Sequence, residues 1–143
     1  MIADYFAPEL GIVNRLKSEI PEVSGRVFTM SELEDTKEAQ QGQCAIYVVH
    51  AGDNIDSRSS NGEVQQFDQE YFVILAVRNA AAQANTDPLR VQAGPIMVKI
   101  LKALQGFSPA DECGPLRRTN APSPGYSPGY GYFPLAFVTR LIV

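Results

Sequence analysis

The sequence lacks the features that define several large classes of protein. Its 143 residues contain no tryptophan, one histidine and two cysteines. Two cysteines are too few for a disulfide scaffold. Cys44 and Cys113 also lack metal-ligand spacing, so the chain is expected in a reducing compartment such as a cytoplasm. No apolar run approaches the ~20 residues that a membrane-spanning helix needs, and no basic region precedes an apolar stretch as in a signal peptide.

Positive charge is also scarce. The 12 Lys and Arg residues are outnumbered by 16 Asp and Glu, which gives a net charge of −4 and a pI near 4.9. The longest basic run is Arg117-Arg118. A nucleic-acid-binding domain usually carries a basic face, so this balance argues against one. An apolar content of 45% is typical of a globular protein, and the length fits one domain over residues 1–143.

The most regular stretch is an apolar strand followed by an amphipathic helix. Every residue from Tyr71 to Val77 is apolar, which predicts a strand buried in the middle of a sheet. After Asp87-Pro88, a helix is predicted to about Gln105, with Gly106 beyond its end and a kink near 91–94 caused by Pro95. Its apolar residues share one face. They are Leu89, Ala93, Ile96, Met97, Ile100, Leu101 and Leu104.

Shorter patterns predict the remaining regular elements. Apolar spacings of three and four between Phe6 and Ile20 predict a helix that starts near Pro8. Ser31 and Glu34 form a capping-box pattern, which predicts a short surface helix or loop over Glu32–Gln41. Further strands are predicted at Arg26–Met30, Cys44–Ala51, Leu116–Thr119 and Tyr132–Val143.

Two irregular segments interrupt this pattern. Gly52–Asp68 is polar and predicts either a long loop between antiparallel strands or a hairpin that projects beyond the sheet. Ser108–Gly131 is rich in proline and glycine and contains most of an aromatic arm, PSPGYSPGYGY. Pro134 cannot donate to a ladder, so the last strand is expected to start at an edge or outside the sheet.

These elements together predict an α+β fold. Two main helices are expected on one face of a mixed, mostly antiparallel sheet of four or five strands, with a long polar loop and a Pro/Tyr-rich arm.

Candidate catalytic residues are few. Asp53 and Asp56 follow His50 closely and could orient it as a general base, although a histidine at a strand end is the ordinary interpretation. Cys44 opens an apolar strand, so a small buried side chain is favoured over a nucleophile. The carboxylates next to Cys113 are expected to raise the pKa of its thiol.

The sequence also contains only fragments of known ligand-binding patterns. Asp53, Asn54, Asp56 and Asn61 have the composition of a calcium loop but not its spacing. The sequence contains no nucleophile elbow and no phosphate-binding loop. No catalytic residue, metal site or cofactor is therefore predicted.

Two groups of side chains suit contact with another chain. Arg117 and Arg118 could face a phosphate backbone or an acidic neighbouring subunit, or be solvated. Tyr126, Tyr130 and Tyr132 crowd an almost uncharged segment, and aromatic contact area costs little conformational entropy to order. The arm that carries them either forms an interface or folds over an edge of its own sheet.

The C-terminal half resembles a known family. AVRN, the helix QAGPIMVKILKALQGFSP, CGPLRR and GYGYFPLAFVTRLI together resemble the tail terminator proteins of long-tailed phages, and most closely those of Mu-like phages and prophages. The resemblance covers roughly Tyr71–Val143, whereas the N-terminal half agrees only in its layout.

This resemblance implies a structural protein with helices on one side of a mixed sheet. Six copies are expected to form a ring that caps the growing tail tube, ends its polymerisation and offers a surface to a head-completion protein. DNA would pass through the lumen without specific binding. The expected location is the head-proximal end of the virion tail, after assembly in the host cytoplasm.

A cyclic ring needs two different patches on each subunit. The polar loop and the aromatic arm are the candidates for these patches. The expected interface residues are Asp53, Ile55, Arg58, Arg117, Arg118, Tyr126, Tyr130 and Tyr132. One alternative is another neck or connector ring subunit. A different class of alternative is a small enzyme or ligand-binding domain with His50, Asp53 and Cys44 near a pocket.

Overall fold

A computed structural model of the chain describes residues 2–23, 25–29, 43–55 and 62–143. The predicted capping box at Ser31 and the short helix over Glu32–Gln41 lie outside the described residues. The helices are α1 (Ala7–Glu19) and α2 (Asp87–Leu104), with a 3-10 turn at Pro21–Val23. The strands are β1 (Val27–Thr29), β2 (Cys44–Ile55), β3 (Gln66–Arg78), β4 (Arg117–Thr119), β5 (Gly125–Ser127) and β6 (Tyr130–Ile142).

The described strands form one mixed sheet. Its order is β1-β2-β3-β6-β4, and the short β5 pairs with β6 as well. β1 runs parallel to β2, and all other pairs are antiparallel. The predicted α+β fold is confirmed, with six strands in the described part of the chain because β5 joins the edge.

The core lies between the two helices and one face of the sheet. Alternate residues of β3 and β6 point to this face, so Val73 and Leu75 pack beside Leu135 and Phe133. Each fully buried side chain of this size stabilises the fold by about 1.5–3 kcal/mol. From the helices, the fully buried residues are Ile12, Leu16, Leu89, Ile100 and Leu104.

α2 continues without interruption through Pro95. Pro95 is exposed, and its missing N–H leaves the Val91 carbonyl without its usual helical donor. Gly94 suits the position before it, because a Cβ there would crowd the proline ring in a helical conformation. The chain leaves the helix at Gly106, whose φ of 79° is the left-handed conformation expected just beyond a helix end.

The last strand does not start outside the sheet, but Pro134 does lie at a stretch of sheet edge that no described strand pairs, as predicted. β6 begins at Tyr130 and pairs with β3 along its whole length, with Pro134 opposite Ile74. The Arg78 N–H donates to the Gln43 carbonyl, which lies on the β2 side of β3. Backbone N–H groups point alternately to the two neighbouring strands, so the Ile74 N–H, four residues earlier, also points to β2. The nitrogen of Pro134 therefore faces away from β3, into the gap between β5 and β4.

The segment predicted as a long loop or a projecting hairpin is a hairpin. β2 continues to Ile55 and β3 starts at Gln66, so the regular ladder extends well into Gly52–Asp68. A bulge between His50 and Gly52 inserts one extra residue in β2, and Gly52 supports it with a φ of 118°. The extra residue reverses the alternation, so that beyond the bulge Asp53 and Ile55 face the helices.

Candidate interaction surfaces

The bulge places Asp53 beside the segment that precedes α1. The Tyr5 hydroxyl donates to Asp53 Oδ2 at 2.6 Å and lies 3.3 Å from His50 Nε2. His50 Nε2 is 3.8 Å from Asp53 Oδ1. The carboxylate thus binds the phenol more closely than the imidazole, and it does not orient His50 as a general base requires. Asp56, the other predicted partner of His50, lies outside the described residues.

A buried glutamine completes this arrangement. Gln69 is 0% exposed, and its Nε2 donates to the Tyr5 carbonyl at 3.1 Å. Its Oε1 accepts from the Tyr71 hydroxyl at 2.8 Å. Burial, and then the hydrogen bond to Asp53, raise the pKa of Tyr5, so its phenol stays protonated near neutral pH. We call Tyr5, Asp53, Gln69 and Tyr71 the Tyr5 clasp, because their hydrogen bonds anchor the N-terminal segment to the sheet.

The two cysteines have no catalytic setting in the described structure. Cys44 is buried, its thiol donates to the Glu22 carbonyl at 3.2 Å, and burial raises its pKa. It lies six positions from His50 along β2, which corresponds to about 20 Å. The alternative that places Cys44 and His50 at one pocket is therefore disfavoured. Burial raises the pKa of Cys113, and its acidic neighbours Asp111 and Glu112 raise it further, as predicted.

The described residues include neither a metal-binding cluster nor a membrane-spanning helix. Across residues 2–23, 25–29, 43–55 and 62–143, no group of three or more His, Cys, Asp or Glu side chains is placed to hold a metal ion. Of the four residues with calcium-loop composition, Asp56 and Asn61 lie outside the described residues. Neither described helix has the length and apolarity to cross a bilayer.

Strand alternation separates the two adjacent arginines. Arg117 is opposite Val138 and forms an ion pair with Asp68 at 3.1 Å, on the sheet face away from the helices. Asp68 is shared with Arg140, whose Nε also lies 3.1 Å away. Arg118 is on the helix side, is exposed, and has no ion-pair partner among the residues that the structure describes. The pair therefore does not form a single basic patch.

The aromatic arm folds against its own sheet edge. β5 pairs with the start of β6, and Gly129 closes the turn with a φ of 80°. The turn is fastened to the loop after β3, because Asn79 N–H donates to the Gly129 carbonyl and Gly129 N–H to the Ala82 carbonyl. The edge-covering alternative is thus observed. This does not test whether the outer side of the arm also contacts another chain.

The three tyrosines of the arm do not share one surface. Tyr126 lies opposite Gly131, is 43% exposed, and packs edge-on against Phe133 with ring centroids 5.7 Å apart. Tyr130 and Tyr132 are half-buried and point to the other face of the sheet. A partner that contacts the helix side would therefore meet Tyr126 alone.

The far end of the β2–β3 hairpin, together with Val143 just after β6, carries exposed apolar side chains beside acidic ones. Ile55 is 58% exposed, Val64 38% and Val143 51%. Asp53 and Glu63 adjoin them and line a shallow cup of about 360 Å³ with Ile55 and Val143. We call these five residues the hairpin end. Arg58, also expected at this interface, lies outside the described residues.

A groove beside α2 was not predicted from the sequence. It has a volume of about 550 Å³ and is lined by Met97, Arg118, the segment 119–124, Pro134 and Leu135. We call it the α2 groove. Its residues come from distant parts of the chain, so no local pattern signals it. The exposed Val91 and Val98 on α2, by contrast, could have been noticed from their seven-residue spacing.

The fold and these surfaces fit a structural protein, since the conspicuous polar clusters among the described residues anchor the protein's own segments. Comparison with known families agrees with this class. A family model described as phage tail terminator protein matches residues 1–143, so the chain belongs to the phage tail terminator family. The resemblance noted over Tyr71–Val143 is confirmed and extends to the whole chain. No curated protein matches the sequence. The protein is a structural component of a phage tail.

Proposed function

We propose that the protein forms a homohexameric ring that caps the phage tail tube, ends its polymerisation and presents a surface to a head-completion protein. The observation that carries this proposal is the family match over residues 1–143. The ring belongs at the head-proximal end of the tail and assembles in the host cytoplasm. DNA passes through its lumen without specific binding.

The shape of the subunit supports a ring. Closed cyclic assembly uses a heterologous interface, in which each subunit offers two different patches. The hairpin end combines apolar and acidic side chains. The α2 groove instead contains Arg118, which has no ion-pair partner among the described residues. Two unlike patches on one chain favour head-to-tail contact over a symmetric dimer.

The proposal is tested by electron microscopy of tail tubes assembled from the tube protein with and without this chain. We expect uniform tube lengths and a six-fold ring at one end when the chain is present. An unrelated acidic protein of similar mass serves as the control. If tube length and tube ends are unchanged, the terminator function is rejected, and another neck or connector role becomes the better account.

A further inference from the structure

We infer that the hairpin end of one subunit docks into the α2 groove of a second copy of this chain. This inference rests on the proposed ring and identifies the two patches that form its subunit interface. The occupant of the groove is thus another molecule of the same protein, rather than a tube or head protein.

The hairpin end has the form of an inserting element. The final residues of β2, Asp53, Asn54 and Ile55, are exposed, so this end of the ribbon is uncovered within the described structure. Ile55 faces the helix side, where Val143 adds a second exposed apolar side chain. Water-exposed β-branched side chains gathered at one end are favourable to bury in a partner.

The α2 groove has the form of a receiving element. β5 and β4 pair with β6 on either side of Pro134 but leave the edge between them open. Pro134 offers no N–H there, so an additional strand cannot complete the ladder, and the space accepts side chains instead. The volume of about 550 Å³ lies within the range of binding pockets, and Leu135 and Met97 make part of its lining apolar.

The charges of the two patches are complementary. The hairpin end carries the carboxylates of Asp53 and Glu63, and the groove carries the Arg118 guanidinium, which has no ion-pair partner among the described residues. Opposite charges across an interface fix its register and disfavour self-pairing of like patches. Two hairpin ends would repel each other, and so would two grooves. The arrangement therefore selects the head-to-tail contact that a ring requires.

Cross-linking on capped tubes tests this contact directly. In a Cys113→Ser background, Ile55→Cys and Met97→Cys are combined in one chain and treated with a short bismaleimide. We expect a ladder of products up to the hexamer. A variant with only one of the two introduced cysteines should give no dimer, because the native Cys44 is buried, whereas a mixture of the two such variants should give dimers. The matched control combines Met97→Cys with Leu10→Cys. Leu10 is 64% exposed but belongs to neither patch, so no ladder is expected.

One substitution in each patch tests the contact. Ile55→Asp and Arg118→Glu should each weaken subunit association by roughly thirtyfold or more, as hot-spot substitutions do. The exposed residues Leu10 and Lys17 provide matched controls, and Leu10→Asp and Lys17→Glu should leave association unchanged. Unchanged thermal unfolding of each variant shows that its fold is intact.

The outcomes separate this inference from the proposed function. If wild-type rings cap the tubes but the double-cysteine variant gives no ladder, the docking contact is wrong and the ring stands. If Ile55→Asp still forms hexamers but no longer binds tubes, the hairpin end faces the tube protein and the inference is overturned. If the wild-type chain forms no ring, the proposed function itself fails.

Discussion

Replacing Gly11 by alanine should destabilise the protein although it improves the helix. Gly11 lies inside α1, where alanine is favoured over glycine by about 1 kcal/mol. A Cβ at this position would overlap the Pro109 carbonyl oxygen and lie 2.6 Å from its carbon. The obstacle is backbone and cannot rotate aside as a side chain could. Overpacking of this kind typically costs about 1–3 kcal/mol, so a net loss of up to about 2 kcal/mol is expected.

The matched control is Asn14→Ala, an exposed position on the same helix. It gains helix propensity without a contact to lose, so its stability should rise by a few tenths of a kcal/mol. Urea denaturation measures both variants. At this chain length, the loss in Gly11→Ala corresponds to a decrease in Tm of roughly 3–8 °C. If Gly11→Ala proves as stable as Asn14→Ala, the close approach of α1 to Pro109 is refuted.

Two further predictions concern the Tyr5 clasp. Gln69→Leu removes the buried partner of both the Tyr71 hydroxyl and the Tyr5 carbonyl, so the free energy of unfolding should fall by about 1–3 kcal/mol in urea titrations. A loss below about 0.5 kcal/mol would contradict the clasp. The pKa of Tyr5 and that of Tyr71 are raised in the fold, so the folded state binds more protons than the unfolded state above about pH 10. The stabilising contribution of these two tyrosines should therefore be retained below that pH and decline as pH rises through it. Tyr5→Phe should make this decline shallower, and an unchanged slope would exclude Tyr5 as a contributor.

The clasp also bears on how sequence clues should be interpreted. His50, Asp53 and Cys44 are residue types that carry catalysis elsewhere, and here two of them lie close together. The geometry gives them structural contacts instead: Asp53 accepts from Tyr5, and Cys44 donates to a backbone carbonyl. Residue type alone therefore does not identify a catalytic site, because catalysis depends on which atoms lie within reach of one another.

The sequence by itself determined the elements whose patterns are local. The apolar run from Tyr71 to Val77 lies within β3, and the one-sided stripe from Leu89 to Leu104 is the buried face of α2. One-sided burial places apolar residues at every second position of a strand or about every 3.6 residues of a helix. These elements and the α+β class could therefore be predicted. The resemblance over the C-terminal half likewise identified the family.

Only the tertiary structure decided how these elements meet. The bulge at His50 turns Asp53 and Ile55 to the helix side, and β6 accepts Pro134 because its nitrogen faces a gap between two short strands. Arg118 reaches the α2 groove because alternation directs it away from Arg117. Each outcome depends on strand register and on neighbours distant in sequence. Local periodicity reports how deeply a segment is buried, whereas register is set by the pairing of segments far apart in the chain.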